Sequence, residues 1–273
     1  MPKTNNASVL DALYNSFDFE RHKLNDPIEL PYKYIEKKDR EVSAFITALY
    51  SYGKVDLFKS HLRRVFGVMG PSPYDYVAGF EPRRGGSELR GLNYRFSSEE
   101  DLVRLIVLVK RALEEHGSLE ALFMSSYAKG ERIRDALIAF IKGLYRYRGN
   151  KPVTAGLRHL LTDPARGSAC KRLNMFMRWM VRDKDIDMGL WEGVSSGDLV
   201  IPLDTHIARI ARCIGLTSRK STDWKTAEEI TDALRVLDAD DPLKYDFVLC
   251  HQGISGICRA DRSFCNKCAL TVI

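Results

Sequence analysis

Apolar residues recur at helical spacing along nearly the whole chain, and this periodicity constrains the fold more than any other feature of the sequence. Residues 39–52 are a clear example, because their apolar side chains fall three and four residues apart and would share one face of a helix. These side chains are Val42, Phe45, Ile46 and Leu49. No segment alternates for long between apolar and polar residues, so a sheet is not expected. The sequence predicts an all-α protein.

Local signals predict where several helices begin and end. Ser97 is followed three residues later by Glu100, which predicts a capping box at the start of a helix over 97–115. Further helices are predicted at 8–17, 55–69, 118–127, 131–146, 153–162, 169–182, 205–214, 223–237 and 242–253. Residues 81–95 hold three glycines and four arginines, which predicts a flexible basic loop. Residues 183–203 lack helical periodicity and predict a long connection.

The charge balance favours a polyanionic partner but does not specify one. The 273 residues include 42 Lys and Arg against 36 Asp and Glu, a formal charge of +6. No apolar run approaches the ~18 residues of a membrane-spanning helix, and the first residues do not resemble a signal peptide. We therefore expect a folded cytoplasmic protein with no membrane contact.

The segment 153–182 is predicted to form a helix, a tight hairpin and a second helix. The turn contains Asp163, Pro164 and Gly167, and the second helix starts soon after them. Such a hairpin can present backbone N–H groups to a phosphate, and Gly167 would allow a close approach. The alternative is that residues 162–168 are only an interhelical turn.

Lys171 and Asp204 are the residues of this sequence best suited to chemistry. Lys171 follows the hairpin, and burial together with the nearby cations Arg166 and Arg172 would lower the pKa of its amine and make it a nucleophile. Asp204 precedes the predicted helix 205–214 and would cap its first amides. The same carboxylate could stabilise positive charge on a sugar or accept a proton. Neither residue requires these roles when taken alone.

Taken together, the two segments resemble the helix-hairpin-helix base-excision DNA glycosylases, typified by endonuclease III and the 8-oxoguanine glycosylases. GSACKRLNMFMRW is similar to their Gly-x-Gly-x-Lys hairpin, and PLDTHIARI is similar to their V-D-T-H segment. The resemblance extends from about 40 to 270, and within the superfamily it points to a poorly characterised bacterial branch. It implies catalytic roles for Lys171 and Asp204. It implies DNA contacts for Gly167, Ser168, Arg172 and His206.

Several positions depart from the family pattern. Ala169 replaces the second hairpin glycine, and Gly53 stands where many pyrimidine-specific members carry a glutamine. The 33-residue gap between Lys171 and Asp204 is about twice the usual one, so 183–203 is an insertion. In the tail, Cys258, Cys265 and Cys268 match the first three ligands of the family's iron–sulfur loop, while the fourth would fall beyond Ile273. The resemblance thus implies an incomplete [4Fe-4S] site; a zinc ion or a metal-free loop are the alternatives.

The combined interpretation is a monomer with two helical lobes and a DNA-binding cleft between them. One lobe spans 30–200 and contains the hairpin, and the other combines 1–29 with 201–273 and the cysteine-rich loop. The function implied is a bifunctional DNA glycosylase and AP lyase that acts on double-stranded DNA with a damaged or abasic site. A non-catalytic nucleic-acid-binding protein is the alternative, and a helical scaffold with no nucleic-acid role is a weaker one.

Overall fold

The protein is almost entirely helical in the computed structural model, which describes residues 5–127, 133–256, 258, 265, 268 and 270. The all-α prediction is confirmed: outside the helices, these residues form only two isolated β-bridges, Tyr94 with Ser97 and Ser168 with Asp223. The helices are α1 (Asn5–Asn15), α2 (Phe19–Lys23), α3 (Lys37–Tyr50), α4 (Val55–Met69), α5 (Pro73–Ala78), α6 (Pro82–Glu88), α7 (Glu99–His116), α8 (Leu119–Met124), α9 (Ile133–Arg146), α10 (Ala155–Leu160), α11 (Lys171–Val181), α12 (Thr205–Cys213), α13 (Trp224–Arg235) and α14 (Asp246–Ile254). Single 3-10 turns occur at Pro27–Glu29, Pro31–Lys33, Pro164–Arg166 and Ser196–Asp198.

Two local predictions were wrong. The stretch 81–95 is not a loop throughout, because α6 begins with Pro82 in its first turn and includes two of the glycines. The capping box of α7 uses Ser98 and Asp101 in place of Ser97 and Glu100. Ser98 Oγ accepts the Asp101 amide at 3.2 Å, and Asp101 Oδ2 accepts the Ser98 amide at 2.8 Å. The backbone of Ser97 instead pairs with Tyr94.

The core is built around α3, which packs against α4, α5 and α11. The predicted apolar face of α3 is fully buried, as its periodicity requires. Phe45 meets Phe176 of α11 edge to face with ring centroids 5.1 Å apart. Lys171 is the first residue of α11, so the packing of α11 on α3 fixes where the lysine backbone lies relative to the core.

The long connection 183–203 is anchored to the rest of the chain by buried polar contacts. Trp191, which is 1% exposed, donates from Nε1 to Glu41 Oε1 at 2.8 Å. Asp187 pairs with Arg178 at 3.1 Å and also with Arg182. The connection 183–203 is therefore packed into the body of the protein.

A buried ion network joins the end of α11 to the residues before and within α14. Arg182 makes a bidentate contact to Asp241, with both nitrogen–oxygen distances at 2.8 Å, and Arg178 contacts Asp246. The Arg182 side chain is 3% exposed. In the same region Asp11 of α1 accepts from Lys244 Nζ at 2.8 Å and from the Tyr245 hydroxyl at 2.7 Å. The division into lobes at residue 200 stays a prediction.

Replacing Arg182 with methionine is expected to destabilise the protein by about 3–5 kcal/mol, because buried carboxylates lose their counter-ion. The midpoint of urea denaturation, followed by far-ultraviolet circular dichroism, measures this loss. Arg84→Met is the matched control, since the Arg84 side chain is 84% exposed and pairs with Glu88 on the surface. We expect the control to cost less than about 1 kcal/mol. Equal costs for the two variants would contradict the importance of the network.

No helix in the described part of the chain is long and apolar enough to cross a membrane.

Candidate active site at the start of α11 and α12

The hairpin between α10 and α11 is a tight turn that depends on one glycine. Asp163 Oδ1 accepts the Ala165 amide at 2.8 Å and opens the 3-10 turn at Pro164–Arg166. Gly167 closes the turn with a φ of 80°, a left-handed conformation that favours glycine. Apart from Gly167 itself and the two residues next to it in the chain, no atom lies within 4 Å of the position that a Cβ on Gly167 would occupy, so the outer side of the turn is open.

The hairpin is also tied to α13, which the sequence did not predict. The Gly167 carbonyl accepts the Trp224 amide at 2.9 Å, and Ser168 forms an isolated bridge with Asp223. The Gly167 amide is already used within the turn, where it donates to the Pro164 carbonyl at 3.0 Å. A phosphate at this hairpin would therefore be bound by groups other than the Gly167 amide.

The N-cap residue of α11, Cys170, makes no capping bond with its side chain and has a φ of 46°. Among the described residues, no side chain accepts from the first amides of this helix. Helix N-termini attract anions because their first amides and the helix dipole both point outward. The start of α11 is therefore suited to an anionic ligand.

Lys171 and Asp204 form a direct ion pair. The distance from Lys171 Nζ to Asp204 Oδ2 is 2.8 Å, and the side chains are 37% and 15% exposed. Asp204 Oδ1 accepts the amides of His206 and Ile207, both at 2.9 Å, so the residue also caps α12. The two carboxylate oxygens thus have different partners: Oδ1 caps the first amides of α12 and Oδ2 contacts the amine of Lys171.

The ion pair lies in a pocket of about 350 Å³ between the starts of α11 and α12. Its walls combine leucines with hydroxyl groups and the backbone of the hairpin. The lining residues are Leu160, Thr162, Ser168, Ala169, Cys170, Lys171, Arg172, Leu173, Leu203, Asp204, Thr205 and Thr222. A pocket with an apolar wall and a few converging polar groups is typical of small-molecule and nucleotide sites.

The prediction that Lys171 has a lowered pKa was wrong. Burial lowers the pKa of Lys171, but the charge and hydrogen bond of Asp204 together with the electrostatic influence of Cys250 and Asp246 outweigh burial, so the pKa lies above its ordinary value of 10.5. Burial conversely raises the pKa of Asp204, but the Lys171 ammonium outweighs it and the pKa lies below 3.8. Of the two cations expected to lower this pKa, Arg172 donates instead to the Leu49 and His159 carbonyls. The resting pair is therefore an ammonium and a carboxylate.

These opposite shifts predict how the energy of the pair changes with pH. The raised pKa of Lys171 makes its contribution to folding complete below pH 10.5 and lost as the pH rises through the higher folded value. The lowered pKa of Asp204 makes its contribution to folding complete above pH 3.8. This contribution is lost as the pH falls through the lower pKa of the folded state. A double-mutant cycle of Lys171→Met and Asp204→Asn in urea denaturation should give a coupling of about 1 kcal/mol after solvent screening. Coupling that varies across the neutral range would contradict the assignment.

Arg172 lies beside the pocket, but its guanidinium is committed to the protein. It donates from Nη1 to the Leu49 carbonyl at 2.6 Å and from Nη2 to the His159 carbonyl, and it stacks 5.1 Å from the centroid of Tyr52. Arg172 thus joins α3, α10 and α11, and a DNA contact from it would require these bonds to change. This contact stays a prediction.

The other predicted DNA-contacting residues differ in their positions. Ser168 lines the pocket, and its Oγ accepts the Cys170 amide at 3.3 Å. His206 is half-buried on α12, where its ring packs closely on Gly253 of α14 and its Nδ1 lies 3.3 Å from Arg209 Nη2. A Cβ on Gly253 would meet the His206 ring, so these two helices need the glycine for their approach.

The tail cysteines do not come together as metal ligands. The described residues, which include Cys258, Cys265 and Cys268, contain no group of three or more His, Cys, Asp or Glu side chains able to hold a metal ion. The backbone of Cys258 makes a hydrogen bond instead: its carbonyl accepts from Arg209 Nη2 at 2.6 Å. The residues between these cysteines lie outside the described part of the chain. The arrangement of the described cysteines does not fit an iron–sulfur cluster, which normally takes four thiolates.

Cys250 was not foreseen as a neighbour of the pair, and Gly53 lies against a side chain that the sequence did not indicate. Cys250 of α14 lies within electrostatic reach of Lys171 and Asp204, and burial followed by the charge of Asp204 raises the pKa of its thiol. A neutral thiol therefore adjoins the pair. At Gly53 the Arg95 side chain occupies the space beside the backbone, with Nη1 only 2.6 Å from where a Cβ would lie. Cys250 lies near the pair because α14 packs on α12, and the periodicity of the sequence does not indicate this packing.

The fold and site define an all-α protein with a lysine–aspartate pair in a pocket at two helix N-termini. The sequence profile of the family described as protein of unknown function (DUF2400) matches residues 26–255. The chain belongs to this family. No curated protein and no solved structure matches the chain.

Proposed function

We propose that the protein is a DNA glycosylase with AP-lyase activity, related to the helix-hairpin-helix superfamily, that removes a damaged or mispaired base. The observation that carries the proposal is the 2.8 Å contact between Lys171 Nζ and Asp204 Oδ2 in one pocket at the starts of α11 and α12. An amine and a carboxylate at this distance are the two groups that the reaction needs. A nucleotide would have to leave the duplex stack to reach them.

The reaction begins with transfer of a proton from the Lys171 ammonium to Asp204 as the extruded nucleotide displaces water. The free amine forms a bond to C1′ while the bond from C1′ to the base breaks, and the base leaves with the electron pair and takes up a proton. Opening of the sugar ring gives an imine between Lys171 and C1′. Loss of a proton from C2′ then expels the 3′ phosphate, which cleaves the strand.

Each group in the pocket has a part in this scheme. Asp204 gives the proton it has taken from Lys171 to the departing base, and the carboxylate so formed stabilises positive charge on the sugar while its cap to α12 holds it in position. The uncapped start of α11 and the open outer side of Gly167 accept the phosphate of the extruded nucleotide. The hydroxyls of Thr162, Ser168, Thr205 and Thr222 supply polar contacts.

Borohydride trapping tests the proposal directly. The wild-type protein is incubated with duplexes that contain an abasic site or an oxidised guanine, and borohydride reduces any imine to a stable crosslink. We expect a crosslink whose mass is that of the protein plus the DNA strand. Absence of a crosslink on the abasic duplex would overturn the lyase activity.

A non-catalytic DNA-binding protein is the second candidate. The raised pKa of Lys171 favours it, because a resting ammonium paired with a carboxylate is not a nucleophile. This candidate predicts binding to duplex DNA without crosslink or base release, so the same trapping experiment separates the two.

A further inference from the structure

A second pocket adjoins the hairpin next to the pocket that holds the Lys171–Asp204 pair. It has a volume of about 450 Å³ and shares Thr162 and Ser168 with the first pocket, so the two are contiguous along the hairpin. Its lining is Tyr145, Arg148, Val153, Arg158, Leu161, Thr162, Asp163, Arg166 and Ser168. Three arginines from three different segments therefore converge on one concavity.

These arginines have no acidic partner in the described structure. No carboxylate there lies within 4.0 Å of the guanidinium of Arg148, Arg158 or Arg166, whereas many other arginines of this chain are paired. Arg148 donates one hydrogen bond to the Tyr145 carbonyl at 3.0 Å, and Arg158 donates one to the Val153 carbonyl at 3.3 Å. A guanidinium has five donors, so most remain for a ligand.

The acidic member of the pocket does not neutralise this cluster. Asp163 directs Oδ1 to the Ala165 amide at 2.8 Å and thereby builds the hairpin turn. The Tyr145 hydroxyl donates to the Leu161 carbonyl at 3.1 Å and closes the floor. All three arginines are exposed, so their guanidinium groups are accessible to a macromolecule.

We propose that the pocket formed by Arg148, Arg158 and Arg166 binds a backbone phosphodiester of the DNA strand next to the nucleotide that enters the Lys171–Asp204 pocket. The proposal rests on the proposed function, because that function places a nucleotide of the strand in the Lys171–Asp204 pocket. Arginine forks match phosphate oxygens in bidentate geometry, and such contacts position a duplex without reading its sequence. The contiguity of the two pockets through Thr162 and Ser168 makes adjacent nucleotides the natural occupants.

The test compares the affinity of three proteins for a duplex with an uncleavable abasic-site analogue. One is wild type, one carries Arg148→Ala, Arg158→Ala and Arg166→Ala, and the control carries Arg21→Ala, Arg64→Ala and Arg83→Ala. The control residues are equally exposed, lose the same charge and line neither pocket. We expect the pocket variant to bind at least about tenfold more weakly than the control. We also expect the slope of log affinity against log salt to fall by about 2 to 3.

A scan of the DNA locates the phosphate. Neutral methylphosphonates replace one phosphate at a time around the abasic analogue. For wild type, neutralising a phosphate next to the lesion should weaken binding, and for the pocket variant the same change should have little further effect. Equal affinities of the pocket and control variants, with wild type binding DNA, would overturn this inference and leave the proposed function standing.

Two other outcomes are also decisive. DNA binding that depends on the three arginines, in a protein that gives neither a borohydride crosslink nor base release, would support the pocket assignment and overturn the enzymatic function. Tight binding of inorganic phosphate that needs the three arginines, with DNA affinity unchanged in the pocket variant, would assign the pocket to small anions and overturn the inference. A wild-type protein that does not bind DNA would overturn both proposals.

Discussion

Lys171→Gln is expected to abolish the borohydride crosslink to abasic DNA and to reduce strand cleavage to the uncatalysed background. The imine requires a primary amine at this position, and glutamine, which is one atom shorter, keeps a polar side chain without a nucleophilic nitrogen. Asp204 keeps its cap to α12 through the Oδ1 atom, so the fold should survive. Crosslink yield on a denaturing gel and cleavage of labelled abasic DNA provide the measurements.

Lys244→Gln is the matched control for this variant. Lys244 Nζ also lies 2.8 Å from a carboxylate, that of Asp11, but the pair is outside the pocket. Its crosslink yield should equal that of wild type. A crosslink that persists in Lys171→Gln at full yield would show that another amine reacts and would remove the central role of Lys171.

Asp204→Asn is expected to slow release of a damaged base by about 10²–10⁴-fold, the usual range for a positioned acid or base. Asparagine caps helices about as well as aspartate, so α12 and DNA binding should be preserved. Without the charge of Asp204, the largest influence that raises the pKa of Lys171 is gone, so we expect the amine to lose its proton at a lower pH. The variant should therefore still crosslink to a preformed abasic site while it loses base release.

The control is Asp18→Asn, because Asp18 caps α2 through the Arg21 amide at 3.0 Å and lines no part of the pocket. It should release the base at the wild-type rate. If Asp204→Asn released base as fast as this control, the carboxylate would have no part in the chemistry. The non-catalytic candidate predicts no base release by any of the three proteins.

The fold was largely predictable because helical periodicity in long segments reflects burial of one face, as α3 illustrates. The errors arose where tertiary contacts override local preference. Two glycines argued against a helix at α6, yet a Cβ on Gly85 would lie 2.0 Å from the Phe80 ring, so close packing requires that glycine. At α7, two consecutive serines each had an acidic residue three positions later, and only the Tyr94–Ser97 bridge selects Ser98 as the cap.

The sequence predicted that Lys171 and Asp204 belong to one site, which stays a prediction, but it did not predict the direction of the Lys171 pKa shift. Spacing and resemblance singled out Lys171 and Asp204, which lie 33 residues apart, and the contact between them agrees with the geometry on which the proposal depends. The direction of the Lys171 pKa shift depends on which charges fold against it. Arg172 turns to the Leu49 and His159 carbonyls, and the carboxylate of Asp204 prevails. Such orientations come from three-dimensional packing, which periodicity does not encode.

One oxygen of the Asp204 carboxylate caps α12 and the other contacts the Lys171 amine. A change in the charge or position of the amine should therefore be detectable at the start of α12. The same group holds the amide protons of His206 and Ile207 and the ammonium of Lys171. Protonation of the carboxylate, or departure of the amine toward a sugar, changes how strongly those two amides are held. Hydrogen exchange at two backbone positions thus senses the chemical state of the pocket, even in the absence of turnover.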